Sequence, residues 1–399
     1  MTRLRTAVVG AGQRFTEVVP AAAAAGRLEV VAVVDPSPAA RERAAALLPA
    51  ARLHADLDSL LAGDVPGAGA EAALVLTPDW THAEVGTALL RSGLHVLVDK
   101  PLATTIEGAD ALLAAAEASG RLLYAGHNMR FMPVVEVMRQ VVEDGLIGTP
   151  RAFWVRHFVG RGGDYFFRDW HAESALSGGL LVHKACHDLD AMSHVLGTSI
   201  QAVQAIGTNA VYHGCEPRPE GRAVPEVVND VTHWPPSALT DVNPAMDVED
   251  LSLVNLVCSH GVLGAYQQCC FTPDYWRSYT VIGDAGRMEN VGDSAGEGEV
   301  LVWNRRRHGF DAEPDLRLPL VEGRGATAPV CEGRSGAHDA ADAAMLADFA
   351  AAVLDGTAPR TSARTARDVV AAGVLARRSM HGGGLLPVPE PRVGTRSTT

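Results

Sequence analysis

Short apolar runs recur through the first third of the chain, at Leu4–Val9, Leu28–Val34, 72–76, 94–98 and 122–125. Each is bounded by Gly, Pro or Asp, and between them lie alanine-rich stretches at 39–48, 81–91 and 106–118. Strands that are apolar on both faces and alternate with helices predict a parallel, doubly wound sheet. After about Gly126 the pattern changes. Residues 131–143 read as a connecting helix stopped by Gly145 and by Gly148-Thr149-Pro150, and a strand region opens at 151–159. A glycine-led helix is predicted over 179–196. Leu251–Cys258 and 262–270 are apolar runs on either side of Ser259-His260-Gly261, which suits a hairpin. Further strands are expected at 279–282 and Glu299–Trp303, and helices at 340–354 and 362–378 close the chain.

This pattern predicts an α/β protein of two domains. Residues 1–126 form a Rossmann-type domain. Residues 127–399 form a second α/β domain with a largely antiparallel open sheet, and its last helices are placed to pack back on the first domain. Residues 213–243 hold five prolines and suit a surface loop or lid, while 385–399 suit a loose tail.

Composition narrows the partners. Lys and Arg number 34 against 47 Asp and Glu, a formal net charge of -13, which argues against a nucleic-acid partner. The one dense basic run, Arg305-Arg306-Arg307, is followed by Asp311, Glu313 and Asp315 and suits a solvated loop. No apolar run reaches the roughly 20 residues that span a bilayer, so no membrane partner is expected. The six cysteines show no paired metal spacing, and adjacent Cys269 and Cys270 would face opposite sides of a strand. Reduced thiols in a cytoplasmic protein are the expectation.

The chemistry sits at the ends of the apolar runs. Gly10, Gly12, Gln13 and Arg14 follow the first run as a turn that lets backbone N–H groups approach a pyrophosphate at a helix start. Phe15 stands where the third glycine of the usual fingerprint belongs, so the turn is weak evidence by itself. Asp35 closes the second run and can accept from both adenosine-ribose hydroxyls, which favours NAD over NADP. Thr77, Pro78 and His82 follow the third apolar run, Asp99-Lys100-Pro101 the fourth, and Asn128 the fifth. Ligands of open α/β sheets bind outside the carboxyl ends of the strands, so these residues are candidate cofactor contacts. Lys100 could polarise a carbonyl or stabilise an alkoxide as hydride leaves carbon. An ion pair that merely closes the turn explains the tripeptide equally well.

His183 and His187 stand four apart and would share a helical face, with Lys184 and Asp188 on the adjoining stripe. A neutral imidazole is a competent proton acceptor for an alcohol. Such a pair also fits a metal, but no third ligand is evident and none is expected. Arg168 and Trp170, just upstream, add a charge and an aromatic face suited to a sugar ring, although a core tryptophan is the ordinary alternative.

Together these motifs resemble the glucose–fructose oxidoreductase, inositol dehydrogenase and rhizopine-catabolism (Gfo/Idh/MocA) family over nearly the whole chain. The likeness runs through the glycine turn, Thr77-Pro78, His82, Asp99-Lys100-Pro101, 126–130, 178–190, Val248-Glu249-Asp250 and 277–290. The family has Glu-Lys-Pro where this chain has Asp99-Lys100-Pro101. Its helix commonly carries Asp where His183 stands, ahead of the histidine matched by His187. The resemblance implies a site in the cleft between the domains, with Lys100 and His187 flanking a substrate hydroxyl and His183 orienting or relaying. It implies an NAD-dependent dehydrogenase of sugars or cyclitols, with Arg168, Trp170, His183 and Lys184 near the substrate. It implies self-association, as dimer or tetramer, through the second sheet. Two other readings stay open. One is a redox-neutral glycosidase or epimerase that oxidises its sugar transiently; the other is a non-catalytic regulator that binds nucleotide or sugar.

Overall fold

The computed structural model describes residues 2–63, 69–160, 162–224, 233–293, 297–309, 312–321 and 337–392. It divides into two compact units. The first opens with the expected alternation: β1 (Leu4–Val9), α1 (Gln13–Ala25), β2 (Leu28–Val34), α2 (Pro38–Leu47), β3 (Arg52–His54) and α3 (Leu57–Gly63). It continues with β4 (Ala72–Val75), α4 (His82–Arg91), β5 (His95–Asp99), α5 (Ile106–Ser119) and β6 (Leu123–Gly126). All six strands are parallel, in the order β3-β2-β1-β4-β5-β6. The order reverses between β1 and β4, and ligands of such sheets bind at that switch point.

Local sequence sets the helix ends. Ser37 accepts from the Ala40 N–H and Pro38 opens α2; Thr105 accepts from the Gly108 N–H at α5, which Gly120 ends at φ 65°. α1 differs. Its N-cap is Gly12, with no side-chain cap, which leaves its first N–H groups directed out of the turn.

The second unit begins with α6 (Pro133–Glu143) and β7 (Pro150–Val159). Short helices α7 (Gly162–Phe166), α8 (Ser174–Ser177) and α9 (Leu180–His183) then lead to α10 (Cys186–Leu196). Strands β8 (Ile200–Thr208), β9 (Leu251–Cys258), β10 (Leu263–Cys269), β11 (Tyr275–Gly283), β12 (Arg287–Val291), β13 (Glu299–Trp303) and β14 (Leu316–Pro319) follow. Of the last helices, α11 (Ala337–Leu354) belongs to the first unit, and α12 (Ala363–Gly382) passes from the first unit to the second at Ala371. The chain ends its described course with β15 (Leu386–Pro387).

The second sheet runs β14-β13-β12-β11-β7-β10-β9-β8-β15, and only β7 and β10 pair in parallel. Strand alternation gives it two faces. Val155, Tyr266, Tyr279, Val281 and Met288 are buried on the inner one, while Trp154, Leu253 and Leu263 are exposed on the other. The expected hairpin of β9 and β10 forms across Ser259-His260-Gly261. Asp250, just ahead of β9, accepts from the N–H groups of Ala210, Val211 and Tyr212 at 2.7, 2.7 and 3.0 Å, and so fixes the turn after β8.

Two local expectations change. The helix expected over 179–196 is two helices, α9 and α10, broken at Lys184-Ala185. There the Ala185 N–H reaches back to the Leu180 carbonyl (3.1 Å), one residue beyond α-helical spacing, and the Cys186 thiol donates to the His183 carbonyl. Residues 385–392 are not a loose tail: Leu386–Pro387 pairs with β8, and the Val388 N–H donates to Gln201 O. Residues 393–399 lie outside the described set, as do Cys331 and 225–232 of the expected loop or lid. That loop's described ends carry single 3-10 turns at Tyr212–Gly214 and Pro236–Ala238 and a bridge from Pro217 to Val242. Arg305 and Arg307 of the basic run both pair with Asp315.

Candidate active site

The first unit gathers its candidate residues at the carboxyl ends of β1, β2, β4, β5 and β6. Gly10 sits at φ +98°, and a Cβ there would lie 2.6 Å from the Leu76 carbonyl oxygen, so only glycine lets β1 turn this close to β4. A Cβ on Gly12 would meet nothing within 4 Å, so the turn opens onto free space in front of α1. Asp35 accepts from the Ala11 and Ser37 N–H groups, both at 2.8 Å, which presents its carboxylate beside that turn. Arg41 donates to the carbonyls of Asp35 and Pro36. Gln13, at the start of α1, is exposed.

Arg14 is held by carboxylates. Its Nε donates to Asp99 (2.9 Å), and Nη1 and Nη2 donate to the two oxygens of Asp342 on α11 (2.6 and 2.8 Å). Asn128 donates to the same Asp342 at 2.8 Å. Burial opposes the Arg14 charge, but Asp99 and Asp342 outweigh it and raise its pKa above the ordinary value. Burial likewise opposes ionisation of Asp99, yet Arg14 and Lys100 hold its carboxyl below the ordinary range. Asp99 Oδ1 is buried with no hydrogen-bond partner among the described residues. Gly126 makes room for it, since a Cβ there would lie 2.9 Å from that oxygen. An ionised, buried acceptor beside the open turn fits a ligand hydroxyl. With the N–H groups of α1 and the Asp35 carboxylate, it suits a dinucleotide.

Lys100 is half-buried, and its bond to Pro101 is cis. His82 is buried, with ring nitrogens 2.8 Å from the carbonyl oxygens of Pro101 and Thr77. The Thr81 hydroxyl donates to the Thr77 hydroxyl at 2.6 Å, and Pro78 opens the 3-10 turn between them. Asp79 in that turn is an addition: burial pushes it up to about 7, against the pull of His82 and Lys100. Its place beside His82 and Lys100 was not legible from the sequence, although it lies between residues the motif marked.

In the second unit His183 and His187 are both buried, but the break in the helix places them on separate segments. Around His183 stand His171, Trp170 and Phe166, with ring centroids 4.8, 5.5 and 5.7 Å away. Trp170 stacks on His171 at 3.8 Å. The Lys184 ammonium lies 5.4 Å from the Phe166 ring and 5.8 Å from that of Tyr275. Arg168 lies buried, 3.9 Å from Asp164.

Beside His187, Asp188 forms a buried polar hub. It accepts from the Tyr279 hydroxyl (2.6 Å), lies 2.9 Å from His157 Nδ1 and lies 3.2 Å from Arg277 Nε. Burial opposes its charge, but His157 and Arg277 hold it well below the ordinary carboxylate range. His157 is pushed down to about 4, chiefly by burial, and stays neutral at pH 7. The sequence marked Asp188 and the 277–290 stretch but not their pairing, because His157 and Arg277 come from β7 and β11. Among the described residues no group of three or more His, Cys, Asp or Glu is placed to hold a metal ion.

Comparison with known proteins places this geometry in a family. Residues 4–127 match the model of an oxidoreductase family with an NAD-binding Rossmann fold, and 135–289 match the GFO/IDH/MocA C-terminal domain. The chain belongs to the Gfo/Idh/MocA oxidoreductase family. It is 31% identical to a 1-carboxy-3-chloro-3,4-dihydroxycyclohexa-1,5-diene dehydrogenase of Comamonas testosteroni, over 47% of this chain and 46% of that protein. It is 33% identical to inositol 2-dehydrogenase 1 of Saccharopolyspora erythraea, over 38% of this chain and 41% of that one. The matched stretches thus span about half or less of these relatives. In fold it is similar to the WlbA dehydrogenase of Bordetella pertussis solved with NADH and UDP-GlcNAcA. The TM-score is 0.71 and the identity 20%, covering 97% of this chain and 99% of that one.

The His157 shift has a pH consequence. Its pKa is about 4 folded against an ordinary 6.5, so the unfolded chain takes up a proton first as pH falls. The stabilising contribution is complete above pH 6.5 and is lost progressively down to about 4. Melting temperature of the wild type should therefore fall across that window, and His157→Gln, which keeps a donor to Asp188, should flatten the slope. Equal slopes in the two proteins would remove His157 from the account.

Proposed function

We propose that this protein is an NAD-dependent dehydrogenase acting on a secondary hydroxyl of a cyclitol, sugar or sugar derivative. The observation that carries this reading is the cluster of the Gly10–Gly12 turn, Asp35 and Asp99-Lys100 at the switch point of one parallel sheet. Bound NAD would supply a nicotinamide ring able to accept the hydride of a carbinol carbon. The chain's own residues do the rest. The N–H groups at the start of α1 and the Asp35 carboxylate bind the nucleotide, and Asp35 repels a 2′-phosphate, which favours NAD over NADP. The Lys100 ammonium stabilises negative charge developing on the substrate oxygen, and His187 takes the hydroxyl proton. That pairing rests on the family's pattern. His183, in its aromatic surround with Trp170, orients the substrate, with Arg168 and Lys184 as polar contacts. Relatives named for inositol and for a dihydroxycyclohexadiene support a ring-shaped polyol.

Self-association through the outer face of the second sheet belongs to the same proposal. Trp154, Leu253 and Leu263 expose apolar surface there, with Arg156 stacked over Trp276 at 5.1 Å.

Two measurements test these readings. Purified protein with NAD+ or NADP+ and a panel of cyclitols, sugars and glycosides should give NADH on a free polyol, and more of it than NADPH. Product without NADH would instead assign the redox-neutral chemistry, and nucleotide binding without any turnover would assign a regulator. Light scattering should give a dimer or tetramer for the wild type and a monomer for Trp154→Glu combined with Leu263→Glu. An unchanged mass in that double variant would overturn the interface.

A further inference from the structure

We infer that His82 is a positioning residue that donates from both ring nitrogens, bolting the turn after β4 to the turn after β5 and thereby fixing Lys100. Nδ1 lies 2.8 Å from the Pro101 carbonyl oxygen and Nε2 lies 2.8 Å from that of Thr77. A carbonyl oxygen can only accept. A neutral imidazole carries one N–H and one lone pair, so it could satisfy one of these contacts and would oppose the other, lone pair to lone pair. Two short contacts to two acceptors therefore require a proton on each nitrogen.

The surroundings suit a cationic ring. His82 is 1% exposed, and a charge so deeply placed needs opposite charge nearby. Asp99, which closes β5, is buried, held below the ordinary carboxylate range and interacts electrostatically with His82; Asp79, three residues before His82, is buried and adds negative charge as it ionises, at about 7. The other charges facing these acids are Lys100 and, at Asp99, Arg14. His82 is also the first residue of α4, where the helix dipole disfavours a cation. The two carbonyl bonds and the two acids must outweigh that.

The consequence falls on Lys100. β4 and β5 are adjacent, with Val75 opposite Val98, and each exits into one of the bolted turns. Pro101 follows Lys100 directly, so the backbone that carries the ammonium cannot shift without breaking the His82 contact to Pro101. The inference rests on Lys100 as the lysine of the proposed reaction, but the state of the ring can be read without any substrate.

The experiment has two arms. In full-length protein labelled with 15N-histidine, the His82 signals are assigned by their loss in His82→Phe or His82→Gln. Both ring nitrogens should carry protons at neutral pH; one protonated and one bare nitrogen would overturn the inference. On a substrate found by the panel, His82→Gln and His82→Phe should lower kcat by about tenfold or more while NAD affinity changes by less than about threefold, as expected for a misplaced catalytic group. The Gln variant, which keeps one donor, should retain more activity than the Phe variant. Unchanged kcat in a folded His82→Gln protein would overturn the positioning role. No turnover by the wild type on any substrate would strike the proposed function, and the ring's protonation would still decide whether the bolt exists.

Discussion

The guanidinium of Arg14 joins three parts of the first unit that are far apart in sequence. It stands in the first turn of the helix that faces the nucleotide turn, and it reaches Asp99 at the end of β5 and Asp342 on α11. Removing one partner of a buried ion pair costs about 3–5 kcal/mol, because the remaining charge stays desolvated. Asp342 is buried and Arg14 is one-fifth exposed, so the clamp sits toward the lower end of that range. Its two donors into Asp342 and one into Asp99 fix the glycine turn relative to the lysine that follows Asp99. Arg14 lies in the turn read from sequence as approaching a pyrophosphate, and its side chain is engaged by these two carboxylates. Asn128 shares the same carboxylate and braces the exit of β6.

The second unit repeats the device with a carboxylate at the centre. Asp188 collects Tyr279, His157 and Arg277 beneath the first turn of α10, next to His187. A buried anion with several donors has few alternative positions, since each lost contact leaves a polar group desolvated. The break at Lys184-Ala185 lies immediately before this turn. It separates His183, among aromatic rings, from His187, beside the polar hub, and so gives the two imidazoles different surroundings despite their spacing of four.

Much of this was legible in the sequence, for identifiable reasons. The first sheet announced itself because its strands are largely buried on both faces, and Ala7–Val9, Val30–Val34 and Ala72–Val75 are unbroken apolar runs. The residues at the strand ends followed from the topology of such sheets. β8 escaped notice because a register shift between Ile200 and Ala202 interrupts its alternation. The helix break escaped because it depends on an irregular backbone bond and a thiol contact, neither of which leaves a periodic trace. The roles of Asp342, Asp188 and Asp79 were invisible, since each is defined by partners on other elements. Asp342 meets Arg14 across 328 residues.

The central claim is that Lys100 acts in the chemical step while other residues bind the nucleotide. The most direct test compares Lys100→Met with the wild type in two assays, NAD+ titration by intrinsic fluorescence and turnover on a substrate found by the panel. The account predicts a Kd within about threefold of the wild type and a turnover lower by about a hundredfold or more, as for loss of an oxyanion-stabilising group. Turnover near the wild-type rate, or loss of NAD+ binding itself, would contradict it.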